Sequence, residues 1–295
     1  MAILIDGKAV AAEIRKEITN EIAGISGKYG KNPGLAVILV GNDPASSVYV
    51  RMKGRGCEEV GITSYQYNYE SHITQNELLA VIDTLNNDPQ VNGILVQLPL
   101  PPHINETLVI NSIDPKKDVD GFHPVNVGKM VIGDDDCFYP CTPYGCQVLI
   151  NSVAGDIKGK HLVVVGRSNI VGKPIANLML QKNKNANCVV TVCHTAAPDI
   201  SVYTKQGDIL VVAVGRPEVV RGDMIKSGAV VIDVGVNRIA DPSDPTKTKL
   251  VGDVKFDEAF EVASAITPVP GGVGPMTITM LLKNTLKAFK LQNGI

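Results

Sequence analysis

Nowhere in the 295 residues is there a run of five basic side chains, a stretch of eighteen apolar ones or a Cys-x-x-Cys pair. The first absence, with a net charge of −2, excludes the concentrated positive charge that non-specific nucleic-acid binding needs to displace counterions. The second leaves no segment long enough to cross a bilayer as a helix. The opening "MAILIDGKAV" has no basic region ahead of an apolar core, so no secretory signal is expected, and a soluble, cytoplasmic protein is. Six cysteines are present, three of them in "CFYPCTPYGC". Without pair spacing or a neighbouring histidine they read as reduced thiols, not as a zinc site or a disulfide framework, and no metal is expected. Internal repeats and low-complexity tracts are missing as well.

What remains is an ordinary globular composition, 44% hydrophobic and 20% charged, in a chain long enough for about two domains. "GLAVILV" (34–40) is a continuous apolar run suited to a strand buried on both faces. A helix led by serine follows in "SSVYVRMKGRGCEEVG", then a strand in "TSYQYNY". "TQNELLAVIDTLNND" reads as an amphipathic helix with Thr74 and Glu77 in capping-box spacing, and "VNGILVQLPLPP" as a strand ending in a proline-rich turn. This β–α–β–α–β alternation implies parallel strands with helices on their faces. After a loop-rich stretch, "CTPYGCQVLINSV" starts a helix with Thr142 suited to the N-cap and Pro143 to the first turn. Buried strands then recur in "GKHLVVVGRS", "NCVVTVCH", "GDILVVAVG" and "GAVVIDVG". A glycine-rich loop and a long amphipathic helix close the chain.

The stretch "VVVGRSNIVGKP" (163–174) begins like a dinucleotide-binding turn, but Ser168 stands where a second glycine is usual, and Arg167 lies inside the turn. Gly166 permits a tight turn, and Gly172 lets the following helix approach the sheet. Backbone N–H groups at the helix start attract phosphate. Ser168 adds a hydroxyl donor and Arg167 a permanently charged fork. A fold that prefers NAD ends its second strand in an acid, whereas here that strand ends "TVCHT". Thr195 can bond a 2′-phosphate and nothing there repels one, which favours NADP. Taken alone, the turn also admits the weaker reading of a plain strand–helix connection with an exposed arginine.

Four further residues carry chemistry. Tyr49 and Lys53 are spaced i, i+4 and share a helix face, where a desolvated lysine can act as a base; a surface lysine packed on a tyrosine fits the same spacing. Gln97 interrupts an apolar run at the carboxyl end of a predicted parallel strand, as a structural bridge or a ligand contact. Asp120 in "KKDVDGFHP" is either a turn residue or a carboxylate able to grip the amidine-like edge of a fused heterocycle.

The stretches "GNDPASSVYVRMK", "GILVQLPLP", "DPKKDVDGFHPVNVGKM", "PCTPYG", "VVVGRSNIVGKP" and "PVPGGVGPMT", in that order, resemble the bifunctional methylenetetrahydrofolate dehydrogenase/cyclohydrolases along essentially the whole chain. The resemblance implies an α/β protein with an N-terminal parallel α/β catalytic domain (1–141 plus 275–295) and a Rossmann-type NADP-binding domain (142–274), the active-site cleft lying between them. It implies NADP-dependent oxidation of methylenetetrahydrofolate, then hydrolysis of the methenyl cation to formyltetrahydrofolate. Lys53 would activate water and transfer protons, Tyr49 stack near the folate, Gln97 hold Lys53, and Asp120 grip the pterin edge. Val96, Leu98, Pro270, Gly271 and Gly272 would complete the folate site. Gly166, Arg167, Ser168, Gly172, Thr195 and Val236 would hold the cofactor, Val236 at the nicotinamide half. A homodimer is the family's habit. Gly54 and Gly56, just after the lysine, predict a looser helix, each costing up to about 1 kcal/mol relative to alanine. The rival readings are an enzyme with one activity only, a different NADP-dependent dehydrogenase, and a non-catalytic NADPH sensor.

Overall fold

The computed structural model describes residues 2–241 and 244–295, and it opens on a two-residue strand, β1 (Ile3–Leu4), followed by the helix α1 (Gly7–Tyr29). Next come β2 (Gly34–Val40), α2 (Pro44–Val60), β3 (Thr63–Tyr69), α3 (Gln75–Asn87), β4 (Gly93–Val96), and the short helices α4 (Glu106–Ser112) and α5 (Pro124–Ile132). Helix α6 (Cys141–Val153) precedes β5 (His161–Val165), α7 (Gly172–Leu180), β6 (Val189–Cys193), the single turn α8 (Ser201–Thr204), β7 (Ile209–Val212) and β8 (Val230–Asp233). A hairpin of β9 (Asn237–Asp241) and β10 (Asp244–Val251), then α9 (Phe256–Val262), β11 (Ala265–Ile266) and α10 (Val273–Asn293), end the chain. Among the described residues no helix is long and apolar enough to cross a membrane.

The chain divides into two units: Ala12–Cys141 with Ile278–Ile295, and the residues up to Ala11 with Thr142–Thr277. The expected boundaries kept all of 1–141 together. The N-terminal residues depart from them because Ile3 and Leu4 pair in parallel with Ala265 and Ile266, which makes β1 an edge strand of the larger sheet. The return of the last helix to the first half of the chain is as expected.

In the unit of 12–141 and 278–295, three parallel strands lie in the order β3-β2-β4. Every residue of β2 is buried, as a strand covered on both faces requires. The capping box of α3 is present, Thr74 Oγ1 accepting from Glu77 N and Glu77 Oε2 from Thr74 N. Helix α2 starts earlier than its serines suggest: Asp43 is the N-cap, accepting from Ser46 N at 2.7 Å, and Pro44 occupies the first turn. Gly54 and Gly56 do not loosen this helix. Both are buried: a Cβ on Gly54 would lie 2.6 Å from Gln66 Nε2 of β3, and one on Gly56 3.2 Å from Ile278 Cγ2 and 3.4 Å from Leu282 Cδ1, so Gly54 makes room for β3 and Gly56 for α10.

In the other unit six parallel strands run β1-β11-β8-β7-β5-β6. Helix α6 begins at Cys141, one residue before the expected cap, and Thr142 Oγ1 is paired with Thr277 Oγ1 at 2.9 Å. The antiparallel pair β9–β10 falls where the sequence offered no strand signal.

All six cysteines are buried free thiols. Burial pushes Cys57 and Cys146 up to about 12, and Cys137, Cys188 and Cys193 up to about 11. Only the thiolate is nucleophilic, so reaction with Ellman's reagent at pH 8 is expected to be roughly 100-fold slower than for free cysteine. All six thiols should react once guanidinium unfolds the chain. Rapid release from any one of them in the native protein would contradict this burial.

Candidate active site

In the smaller sheet the chain leaves β2 for β3 on one side and returns as β4 on the other, so the carboxyl ends of β2 and β4 flank a switch point where open α/β sheets bind ligands. Gln97 follows directly on β4, and its backbone N–H extends the ladder to Ile38 O at 2.9 Å. Helix α2, which follows β2, brings Lys53 to the same end: Lys53 Nζ donates to Gln97 Oε1 at 2.9 Å, and Gln97 Nε2 donates to Leu98 O at 2.6 Å. Both ends of the amide are thus engaged by the protein. Tyr49, one turn earlier on α2, is 40% exposed and open to a stacking partner.

Of the aspartates in the 114–121 loop, Asp118 and Asp120 bear on the two roles considered for Asp120. Asp118 makes the turn, accepting from Phe122 N at 3.2 Å, His123 N at 2.8 Å and Asn126 Nδ2 at 2.8 Å. It also pairs with Ile94 in a parallel bridge on the open side of β4, with Ile94 N donating to Lys117 O. Asp120, two residues on, lies close enough to Lys53 for their charges to interact. Burial pushes Lys53 below the ordinary lysine range, against the pull of Asp120. Burial raises Asp120, with Lys53 opposing and Asp118 adding to the rise. The buried Cys141 thiol donates to Val119 O, the residue before Asp120, at 3.4 Å.

The predicted cofactor residues lie in the other unit. Gly166 has φ +122°, and a Cβ there would overlap Ala213 O, so only glycine fits this turn after β5. Gly172 is buried with no room for a Cβ against Gly166 O, so the start of α7 packs directly on the turn. Ser168 Oγ accepts from Val171 N at 3.1 Å and Gly172 N at 3.2 Å, leaving its proton to donate. Arg167 and Thr195 are exposed, and Val236 is 51% exposed just past β8. The carboxyl ends of β5 and β7 bracket the switch point of the larger sheet. Of the residues expected to touch folate, Val96 is buried in the sheet core, and Gly272 has no room for a Cβ against Thr267 and Pro268. Pro270 is exposed, and Leu98 and Gly271 are partly so.

Two family models match, the catalytic domain of tetrahydrofolate dehydrogenase/cyclohydrolase over residues 5–120 and its NAD(P)-binding domain over 140–293. The chain belongs to the tetrahydrofolate dehydrogenase/cyclohydrolase family. It is 58% identical to the bifunctional protein FolD of Dichelobacter nodosus, over 98% of this chain and 97% of that one. The crystal structure of the bifunctional FolD enzyme from Campylobacter jejuni matches with a TM-score of 0.93 at 49% identity, covering 100% of both chains. FolD from Trypanosoma brucei, solved with NADP cofactor and inhibitor, matches with a TM-score of 0.93 at 43% identity, over 100% of this chain and 99% of that one. The protein is a bifunctional enzyme of one-carbon metabolism, an NADP-dependent methylenetetrahydrofolate dehydrogenase and methenyltetrahydrofolate cyclohydrolase.

Within this FolD-type site, sequence reasoning missed Lys117, Cys141 and Asn284. Lys117 is buried and donates to Leu85 O and Asp88 O at the end of α3, which tethers the aspartate loop. Asn284, on α10, is 3% exposed, and its Nδ2 donates to Val119 O at 2.8 Å and Tyr139 O at 3.0 Å. One amide therefore ties the residue before Asp120 to the segment leading into Cys141. The only sequence cue was a polar residue inside an apolar helix. Asn284→Ala leaves both carbonyls without this donor and is expected to cost about 1–3 kcal/mol in urea unfolding. A change below about 0.5 kcal/mol would show that the clamp carries no load.

Proposed function

We propose that Lys53 is the proton-transfer residue of the hydrolytic step, that Gln97 positions it, and that Asp120 and Tyr49 hold the folate. The observation that carries this reading is the bond from Lys53 Nζ to Gln97 Oε1 in a setting that disfavours the ammonium. After hydride loss, the one-carbon unit is a cation shared between two nitrogens, and water must add to it while giving up a proton. A neutral Lys53 takes that proton. As the ammonium it returns the proton to the pterin nitrogen when the carbon–nitrogen bond opens, while the hydroxyl of the adduct gives its own proton to solvent as the carbonyl forms, so the cation and water yield the neutral formyl product and one released proton. Gln97 Oε1 holds the amine in place in both states without adding a charge. Asp120 accepts from the donor pair on the pterin edge, and those donors favour its ionised form against burial. Tyr49, solvent-facing on the same helix side, supplies a stacking surface.

The residues of the larger sheet fit NADP: a glycine turn with no room for a Cβ, a serine whose proton remains to donate, an exposed arginine, and Thr195 after β6 with no acid in "TVCHT". When bound, NADP supplies the acceptor for the hydride of the methylene carbon. Arg167 and Thr195 bind the 2′-phosphate, Ser168 and the α7 N-terminus bind the bridging phosphates, and Val236 lies against the nicotinamide half. Catalytic and cofactor domains then correspond to the units of 12–141 with 278–295 and of 142–277. A homodimer is part of the proposal, supported by the edge strand β6, whose Val189 and Val192 are 59% and 41% exposed. So are a cytoplasmic location and a role in supplying formyl groups for purine synthesis.

The test is product analysis with methylenetetrahydrofolate and NADP⁺ or NAD⁺. The wild type is expected to yield NADPH and formyltetrahydrofolate, its hydrolysis rising with pH through a value below the ordinary lysine range. Lys53→Met should lose hydrolysis by at least about 100-fold while hydride transfer survives; equal loss of both steps would remove Lys53 from its role. Arg167→Ala should weaken NADP⁺ by about tenfold or more and leave NAD⁺ within about twofold. Equal weakening of the two would exclude a 2′-phosphate contact.

A further inference from the structure

Asp253 lies just beyond β10 and is fully buried, yet no part of the reaction described above uses it. Its carboxylate accepts four hydrogen bonds. Oδ2 takes Val214 N at 2.7 Å and Gly215 N at 2.9 Å, and Oδ1 takes Arg216 N at 3.0 Å and Asn237 Nδ2 at 2.8 Å. Three consecutive backbone N–H groups converging on one carboxylate set the path of the loop after β7. The fourth donor anchors the first residue after Val236. A second buried carboxylate, Asp233 at the end of β8, fixes Asp253 in turn, accepting from Asp253 N at 2.9 Å, Val254 N at 2.9 Å and Gly235 N at 3.0 Å. There is no slack: a Cβ on Gly235 would overlap Asp253 Oδ1. The loop so held starts at Ala213, whose carbonyl packs against Gly166 of the phosphate turn.

Three loops therefore meet at the carboxyl edge of the larger sheet, those after β5, β7 and β8. The first carries Arg167 and Ser168. The other two are shaped by one side chain. A dinucleotide laid across this edge with its phosphates on the β5 loop places its far half over the loops after β7 and β8.

We propose that Asp253 is the positioning residue for the nicotinamide half of NADP, holding residues 214–216 and 236–237 in the shape that half requires. The proposal rests on the assignment of the 166–168 turn to the phosphates. Asparagine has the shape of aspartate but replaces one acceptor by an amide donor, which must face backbone N–H groups here. The Asp253→Asn loops are thus mispaired while the β5 turn keeps its own bonds.

Calorimetric titration of the full-length protein with NADP⁺ and with adenosine 2′,5′-bisphosphate separates the two halves. Asp253→Asn is expected to weaken NADP⁺ by at least about tenfold and to leave the bisphosphate within about twofold. Asn237→Ala removes a single donor from the same carboxylate and keeps the test open if Asp253→Asn does not fold; its expected effect is about threefold, again on NADP⁺ alone. Equal weakening of both ligands, or of neither, overturns the proposal. If wild-type protein binds NADP⁺ but not the bisphosphate, the assignment of the phosphate turn falls, and this inference falls with it.

Discussion

The amino group of Lys53 is buried beside a carboxylate that is itself pushed toward its neutral form, and most of the smaller unit is arranged around that pair. Burial lowers the lysine and raises the aspartate, and the charge of each opposes that shift in the other. A base poised between charged and neutral states needs such opposition, since water would hold it as the ammonium at neutral pH. The sheet supplies it geometrically. Parallel strands end together, so a helix leaving β2, the residue after β4 and a loop bridged to the open side of β4 all deliver side chains to one rim. Asn284 and Lys117 then spend their hydrogen bonds on backbone carbonyls of the loop and of α3, not on the reactive groups, which stay available to substrate.

Buried aspartates recur as organisers of loops. Asp118, Asp233 and Asp253 each gather backbone N–H groups that no strand or helix satisfies. An unpaired buried N–H is costly, and a carboxylate can accept several at once. The arrangement also stacks negative charge: burial and the neighbouring Asp253 lift Asp233 to about 7, even though three N–H groups pull it down. Irregular backbone can therefore be rigid at the rim of each sheet, where function needs loops but not loose ones.

The parallel strands, the helix pattern, the capping box of α3 and the phosphate turn were legible because each rests on local periodicity or short-range spacing. Gln97 stood out because it interrupts an apolar run at a strand end, and Lys53 because it is spaced i, i+4 from Tyr49 on one helix. What escaped was long-range. Asn284 meets Val119 across 165 positions and Asp253 meets Val214 across 39, and no pattern in a single sequence joins such partners. The two-residue strands β1 and β11 are too short to show alternation, so the N-terminal segment was placed with the wrong half of the chain. Gly54 and Gly56 were misread for the same reason: helix propensity is a local quantity, and it counted their cost without seeing Gln66 of β3 against Gly54 or Ile278 and Leu282 of α10 against Gly56.

That misreading points to how Lys53 is kept in place. A glycine inside a helix is unfavourable only if nothing uses the space it leaves, and here a second helix does. Alanine at position 56 would gain helix propensity and press its methyl within 3.2 Å of Ile278, tighter than a comfortable carbon–carbon contact. Because Gly56 lies three residues past Lys53, a shift of α2 away from α10 would be felt at the Lys53–Gln97 bond, whose 2.9 Å length leaves little tolerance. Close packing on one side of the helix and a single hydrogen bond on the other thus restrain the same few residues. The local instability of the glycines is offset by the precision with which α2 presents its lysine.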